Sequence, residues 1–176
     1  MTKNDFRKSC KELLSKSRAQ KVAKDYIILQ RLLEIIEKEK PKNILLFVPL
    51  KTEPNVLKLI NTLRKRRGTK VFVPFMMDKS FKPVLYRLPL ANKNFGIKEP
   101  KFAKPTKREK IDLAIVPTLG FDATFRRVGF GKGMYDRYFE TISNDIKIVF
   151  VQRELCYASN ILTQTHDIRA DYIVSS

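Results

Sequence analysis

Apolar residues recur at three- and four-residue intervals in two stretches near the start of the chain. Phe6, Cys10, Leu13 and Leu14 form the first; Tyr26, Ile27, Leu29, Leu32, Leu33 and Ile36 form the second, after a polar break. This spacing gathers them on one helical face each, so two amphipathic helices are predicted, the second ended by Pro41. The period then changes. Residues 43–50 and 70–75 are short continuous apolar runs, as strands buried on both faces of a parallel sheet require. Between them Val56, Leu57, Ile60 and Leu63 predict a helix, with Thr52 as its cap, Pro54 in its first turn and Gly68 closing it, which makes one βαβ unit. Residues 84–88 predict a further strand, but Pro83, Pro89, Pro100 and Pro105 leave 78–110 largely as a long loop. A buried strand at 112–117, a helix at 134–140 and strands at 146–151 and 171–175 complete the alternation. The fold class is α/β: three layers, a mostly parallel sheet with helices on both faces, in one domain spanning 1–176.

Composition narrows the function. The 176 residues are 43% hydrophobic, enough for a full core, and carry 36 Lys and Arg against 18 Asp and Glu, a net charge of +18. An anionic partner is implied, and nucleic acid is the plainest candidate. The lysines are spread along the chain, however, and no zinc-finger, RRM or KH pattern is present to read bases. Cys10 and Cys156 are too few and too far apart for a zinc site or a disulfide framework, so they are read as two buried small apolar residues of a reducing compartment. No apolar run reaches the ~20 residues of a membrane span, and Asp5 and Glu12 in the basic start argue against a presequence, leaving the cytoplasm as the expected location.

The chemistry concentrates in Arg126-Arg127-Val128-Gly129-Phe130-Gly131-Lys132-Gly133-Met134-Tyr135-Asp136. Three alternating glycines let a backbone wrap an anion closely and aim several N–H groups at it, and Lys132 adds charge. The following helix would add its N-terminal dipole. A Walker loop is excluded, because Arg126 stands where its first glycine belongs and Gly133 where its Ser or Thr belongs. A dinucleotide fingerprint is excluded by Met134 at its third glycine. Loops 49–53 and 117–133 both fall at the carboxyl ends of predicted strands, where open parallel sheets collect ligands.

Taken in order, these segments resemble the 5-formyltetrahydrofolate cyclo-ligase family, end to end. Lys3 and Arg7 match its N-terminal pair; Thr52-Glu53-Pro54 and Val71-Phe72-Val73-Pro74 match its substrate loop and next strand; Gly96-Ile97-Lys98-Glu99-Pro100 matches a turn. Residues 112–138 match the signature, and His166-Asp167 and Asp171 the closing acids. Phe130 and Met134 depart from it, standing where Arg and Tyr are common. The resemblance implies ATP and Mg²⁺, a phosphorylated formyl intermediate, and Lys132 as the catalytic residue. It implies nucleotide contacts from Lys3, Arg7, Arg127, Gly129, Gly131, Lys132, Gly133, Met134 and Tyr135. Folate contacts fall to Glu53, Phe130, Gly131, Lys132, Gly133 and Met134, and the metal to Asp136 and Asp167. On residue type alone, Asp136 and Glu53 read as first-turn helix acids, Asp167 as a turn residue and His166 as a turn or strand-end residue, and Tyr135 reads equally as half-buried core. The expected partner is a small-molecule substrate, 5-formyltetrahydrofolate, whose polyglutamate tail would account for the lysines without nucleic acid or membrane; a monomer is expected. The rivals are a basic nucleic-acid-binding module and a different ATP-using enzyme on the same scaffold.

Overall fold

The computed structural model describes residues 1–16, 18–93, 96–103, 109–142 and 145–176, with residue 18 by its backbone. Pro105 of the long predicted loop lies outside these. Helices α1 (Lys3–Lys16) and α2 (Lys21–Glu39), joined by a 3₁₀ turn at Arg18–Gln20, match the two amphipathic patterns. Lys40 takes a left-handed conformation after α2, returning its N–H to the Ile36 carbonyl, and Pro41 follows.

The central sheet has the order β11-β9-β6-β1-β2-β3, built from β1 (Asn43–Leu45), β2 (Lys70–Met76), β3 (Phe81–Leu85), β6 (Leu113–Pro117), β9 (Lys147–Val151) and β11 (Tyr172–Val174). All neighbours are parallel except β3, which runs antiparallel to β2 and closes one edge. Pro83 is tolerated there because an edge strand has one unpaired side. Alternation along the strands makes two cores. Ile44, Val71, Val73, Leu113, Ile115, Val149 and Val151 meet α2 and α3 (Leu57–Leu63) on one face. Leu45, Phe72, Ala114, Val116 and Phe150 meet α4 (Met134–Glu140) on the other. The layered, mostly parallel arrangement is as expected from the sequence.

Several details differ. The apolar run at 43–50 forms a strand only over Asn43–Leu45, with the Leu46 N–H still donating to the Phe72 carbonyl at 2.8 Å. Helix α3 begins after Val56, so Thr52 does not cap it and Pro54 precedes it; Asn55 Oδ1 accepts from the Leu57 N–H at 3.2 Å instead. The long loop contains β3 and a small hairpin of β4 (Leu90–Asn92) and β5 (Lys98–Pro100). Glu99 in that hairpin is buried and accepts from the Met76 N–H at 2.7 Å, tying it to the sheet. A second small sheet joins β7 (Gly120–Asp122), β8 (Arg127–Val128) and β10 (Tyr157–Ala158).

The cysteines require a correction. Both are buried as expected, but they are not independent: Cys10 and Cys156 form a disulfide across 146 residues, fastening α1 to the segment before β10. A third apolar cluster surrounds it, with Phe6 of α1 against Leu119, Val128 and Ala158. The pairing removes the ground on which the cysteines suggested a reducing compartment. Spacing along the chain carries no information about a contact that only the docking of α1 creates. Among the described residues, no helix is long and apolar enough to cross a membrane.

Candidate active site

The site is assembled at the carboxyl ends of β1, β6 and β9. Strand β6 ends at Pro117, and the chain turns through Thr118 into the β7–β8 hairpin. Its turn is held by Asp122, whose Oδ1 accepts from the Thr124 N–H (3.0 Å) and hydroxyl (2.6 Å). Asp122 Oδ2 accepts from the N–H groups of Leu162 and Thr163, each at 2.8 Å, and from the Thr163 hydroxyl at 2.6 Å. Burial works against ionisation of this carboxyl, but these hydrogen bonds outweigh it and hold its pKa well below the ordinary range. One side chain thus fixes the segment carrying His166 and Asp167 to the base of the glycine loop.

The loop itself is built around Arg127. Its guanidinium is buried, donating through Nε and Nη2 to the Pro117 carbonyl (3.2 and 2.9 Å) and through Nη1 to Asp136 Oδ2 at 3.3 Å. It also lies over the Tyr135 ring, 5.1 Å from the centroid. Gly129 crosses directly above: a Cβ there would stand 2.3 Å from Arg127 Nη1. Gly131 and Gly133 have φ of +116° and +60°, conformations that side-chain-bearing residues rarely adopt. Arg137 of α4 folds back, donating to the Lys132 carbonyl at 2.5 Å and to the Lys79 carbonyl.

Helix α1 supplies the opposite wall. Lys3 Nζ reaches Asp167 Oδ2 at 2.7 Å, and Arg7 Nε donates to the Gly129 carbonyl at 3.0 Å. Lys3, Arg7, Gly129, Gly131, Gly133, Asp136 and Asp167 therefore line one cleft of about 350 Å³, joined by Arg137, Glu140 and His166. Lys132 is exposed on the loop. Arg127 and Tyr135 lie beneath the loop rather than on the cleft wall. Burial pushes the Tyr135 hydroxyl far above its ordinary pKa, so it stays protonated. Phe130 packs toward the α1 cluster and Met134 toward the α4 core, so the two departures from the signature meet apolar surroundings.

Glu53 stands apart from the cleft wall. It is buried beyond the end of β1, its Oε2 accepting from the Leu50 N–H at 2.8 Å. Burial raises its pKa, against the opposing pull of that hydrogen bond and of Arg127 and Arg153. Arg153 is the residue that sequence reasoning missed here. It forms a fork on Asp25 of α2 (2.9 and 3.2 Å) and donates to the carbonyls of Thr52 (3.2 Å) and Glu53, fastening the turn. Its partners lie 100 residues or more away, and no local pattern marks them. Arg137 and Glu140 were also missed; their i and i+3 spacing on α4, facing the loop, was the available signal.

Among the described residues there is no cluster of three or more His, Cys, Asp or Glu poised around a metal. The donor chemistry of the cleft nonetheless fits magnesium: Asp136 and Asp167 are hard carboxylates that line the same cleft, and Mg²⁺ is commonly held by one or two of these, with waters and phosphate oxygens supplying the rest.

Fold and site together define an α/β enzyme with a cationic glycine-loop cleft at the carboxyl end of a parallel sheet. The whole chain, residues 1–176, matches the 5-formyltetrahydrofolate cyclo-ligase family, and the chain belongs to that family of ligases. It is 28% identical over 152 residues to the 5-formyltetrahydrofolate cyclo-ligase of Haemophilus influenzae, covering 80% of this chain and 79% of that one. It is 26% identical to the cyclo-ligase of Mycoplasma genitalium over 98% of this chain and 96% of that one. The fold is that of the 5,10-methenyltetrahydrofolate synthetase of Mycoplasma pneumoniae (TM-score 0.76, 23% identity, 98% of each chain). It is also that of the Aquifex aeolicus synthetase (TM-score 0.78, 25% identity, 99% of this chain and 90% of that one).

Proposed function

We propose that this chain converts 5-formyltetrahydrofolate and ATP to 5,10-methenyltetrahydrofolate, ADP and phosphate, with the glycine-loop cleft as the phosphoryl-transfer site. The observation that carries this reading is the convergence of Lys3 and Arg7 from α1 with three glycines and the Asp136 and Asp167 carboxylates on a single cleft. The formyl oxygen attacks the γ-phosphorus and the bond to ADP breaks. N10 then attacks the activated formyl carbon, the C–O bond breaks, and phosphate leaves as N10 loses its proton. Little covalent chemistry falls to the protein, which supplies positioning and charge stabilisation.

Lys132 and the N–H groups of Gly131 and Gly133 hold the transferring phosphoryl group, and Lys3 and Arg7 the rest of the nucleotide. Arg127 and Tyr135 act through the loop, Arg127 keeping Gly129 and Asp136 in place. Asp136 and Asp167 would hold Mg²⁺, which would supply charge neutralisation to the phosphates. Glu53, as a carboxylate, accepts from the pterin's amino and ring N–H groups, and Phe130 and Met134 give the folate apolar walls. A groove lined by Arg7, Lys8, Lys11 and Phe130 shares Arg7 and Gly131 with the cleft and suits an anionic polyglutamate tail.

The test is to follow the absorbance of the methenyl product with purified protein, omitting ATP and magnesium in turn. Product should require both, and Lys132→Ala should lower kcat by about 10²–10³-fold with an unchanged unfolding midpoint. A parallel loss of folding would remove Lys132 from its role. Tight, steeply salt-dependent binding to RNA or DNA without turnover would overturn the reading as a whole.

A further inference from the structure

Gln152 directly follows β9 and is only 2% exposed. Among the described residues, the buried side-chain nitrogen and oxygen atoms without a hydrogen-bond partner are its Nε2 and Oε1. An interior amide unpaired at both ends is costly, and folded chains seldom keep one without a use for it.

Its place in the fold points to that use. The Gln152 N–H donates to the Val174 carbonyl at 3.0 Å, so the ladder between β9 and β11 continues one residue past β9. Along β9, Val149 and Val151 face α2 and α3, while Phe150 faces α4. Alternation assigns Gln152 to the α4 side, the side of the glycine loop. Its neighbour Arg153 grips the Thr52 and Glu53 carbonyls. Val151, on its other side, pairs with Pro117, whose carbonyl receives Arg127. Gln152 is thus set at the carboxyl end of the sheet, on β9 beside the end of β6 that leads into the glycine loop, and directly before Arg153, which clasps the Glu53 turn.

We infer that Gln152 is a substrate-binding residue, its Nε2 donating a hydrogen bond to the ring carbonyl of the pterin held by Glu53. The inference rests on the reading of this site as a 5-formyltetrahydrofolate site. The chemistry is complementary. A carboxylate only accepts, so Glu53 satisfies the pterin's amino and ring N–H groups and leaves its carbonyl without a donor. A neutral amide supplies that donor without adding charge beside Glu53.

The experiment compares wild type with Gln152→Leu, Gln152→Met and Gln152→Glu in steady-state turnover and thermal unfolding. Leu and Met remove the amide at similar volume; Glu, when ionised, keeps the shape and loses the donor. The expected result is a rise of tenfold or more in KM for 5-formyltetrahydrofolate in all three, with KM for ATP unchanged. Leu and Met variants should unfold at the wild-type temperature or above, because no partner is lost in the free protein. An unchanged folate KM in a folded variant overturns the inference. So does a joint rise in both KM values with a lowered unfolding temperature, which would mark a structural amide. If wild type itself neither binds 5-formyltetrahydrofolate nor makes methenyl product, the underlying functional reading has failed, an outcome visible before any variant is compared.

Discussion

At the residue scale, the glycines of the loop are not interchangeable, because each answers a different demand. Gly131 and Gly133 need their backbone conformations, whereas Gly129 is required by what lies beneath it, the Arg127 guanidinium at 2.3 Å from a hypothetical Cβ. Gly129→Ala should therefore expel Arg127 from Asp136 and the Pro117 carbonyl. We expect a loss of about 1–3 kcal/mol of stability, as for overpacking of a filled interior, together with weakened ATP binding; denaturant unfolding and nucleotide titration measure the two effects. Glu53 carries a pH dependence. Its folded pKa lies above the ordinary 4.5, so its protonated form is the better tolerated. The stability this confers is complete below pH 4.5 and disappears as pH rises through the folded pKa. Folate binding runs the opposite way, since only the carboxylate accepts two N–H groups. KM for the folate should fall as pH rises through the folded pKa of Glu53, and Glu53→Gln should raise KM and flatten that profile.

At the element scale, the β7–β8 hairpin and the segment before β11 behave as one unit because Asp122 bonds to both. Its carboxyl is held below the ordinary 3.8, so its contribution to stability is complete above that value and is lost as pH falls through the folded pKa. Asp122→Asn turns an amide donor toward the N–H donors of Leu162 or those of Thr124. A cost of about 2–3 kcal/mol is expected, with a shallower acid limb in the pH dependence of unfolding. An acid limb identical to wild type would show that other groups govern it. The elements themselves were largely legible. Continuous apolar runs gave the parallel strands and their order of appearance, and helical spacing gave α1, α2 and α4. The start of α3 was misplaced because Thr52 and Glu53, which look like a cap and a first-turn acid, are held in a turn by Arg153 from across the molecule.

At the scale of the whole molecule, α1 is both a wall of the site and a tethered element. It bears Lys3 and Arg7, and the Cys10–Cys156 disulfide fixes it to the small sheet. Closing so long a loop stabilises by about 5 kcal/mol at most. Cys10→Ala/Cys156→Ala should lower the unfolding temperature accordingly and weaken ATP binding, because the helix that presents two cations is no longer held. An ATP affinity equal to wild type would mean that the Phe6 cluster, the Lys3–Asp167 ion pair and the Arg7 hydrogen bond seat α1 without the disulfide. The sequence by itself determined the layered α/β architecture, the glycine loop and the family, since all three are written in local periodicity and in contiguous motifs. Only the tertiary structure decided which of those residues face the cleft and which brace it. Arg127 became a buried prop and not a cleft-wall cation, Cys10 a partner of Cys156, and Arg153 the clasp of the Glu53 turn. These roles depend on contacts between residues 8 to 146 positions apart in sequence, fixed by how the layers pack, and nothing in the neighbourhood of any one of them along the chain encodes that distance.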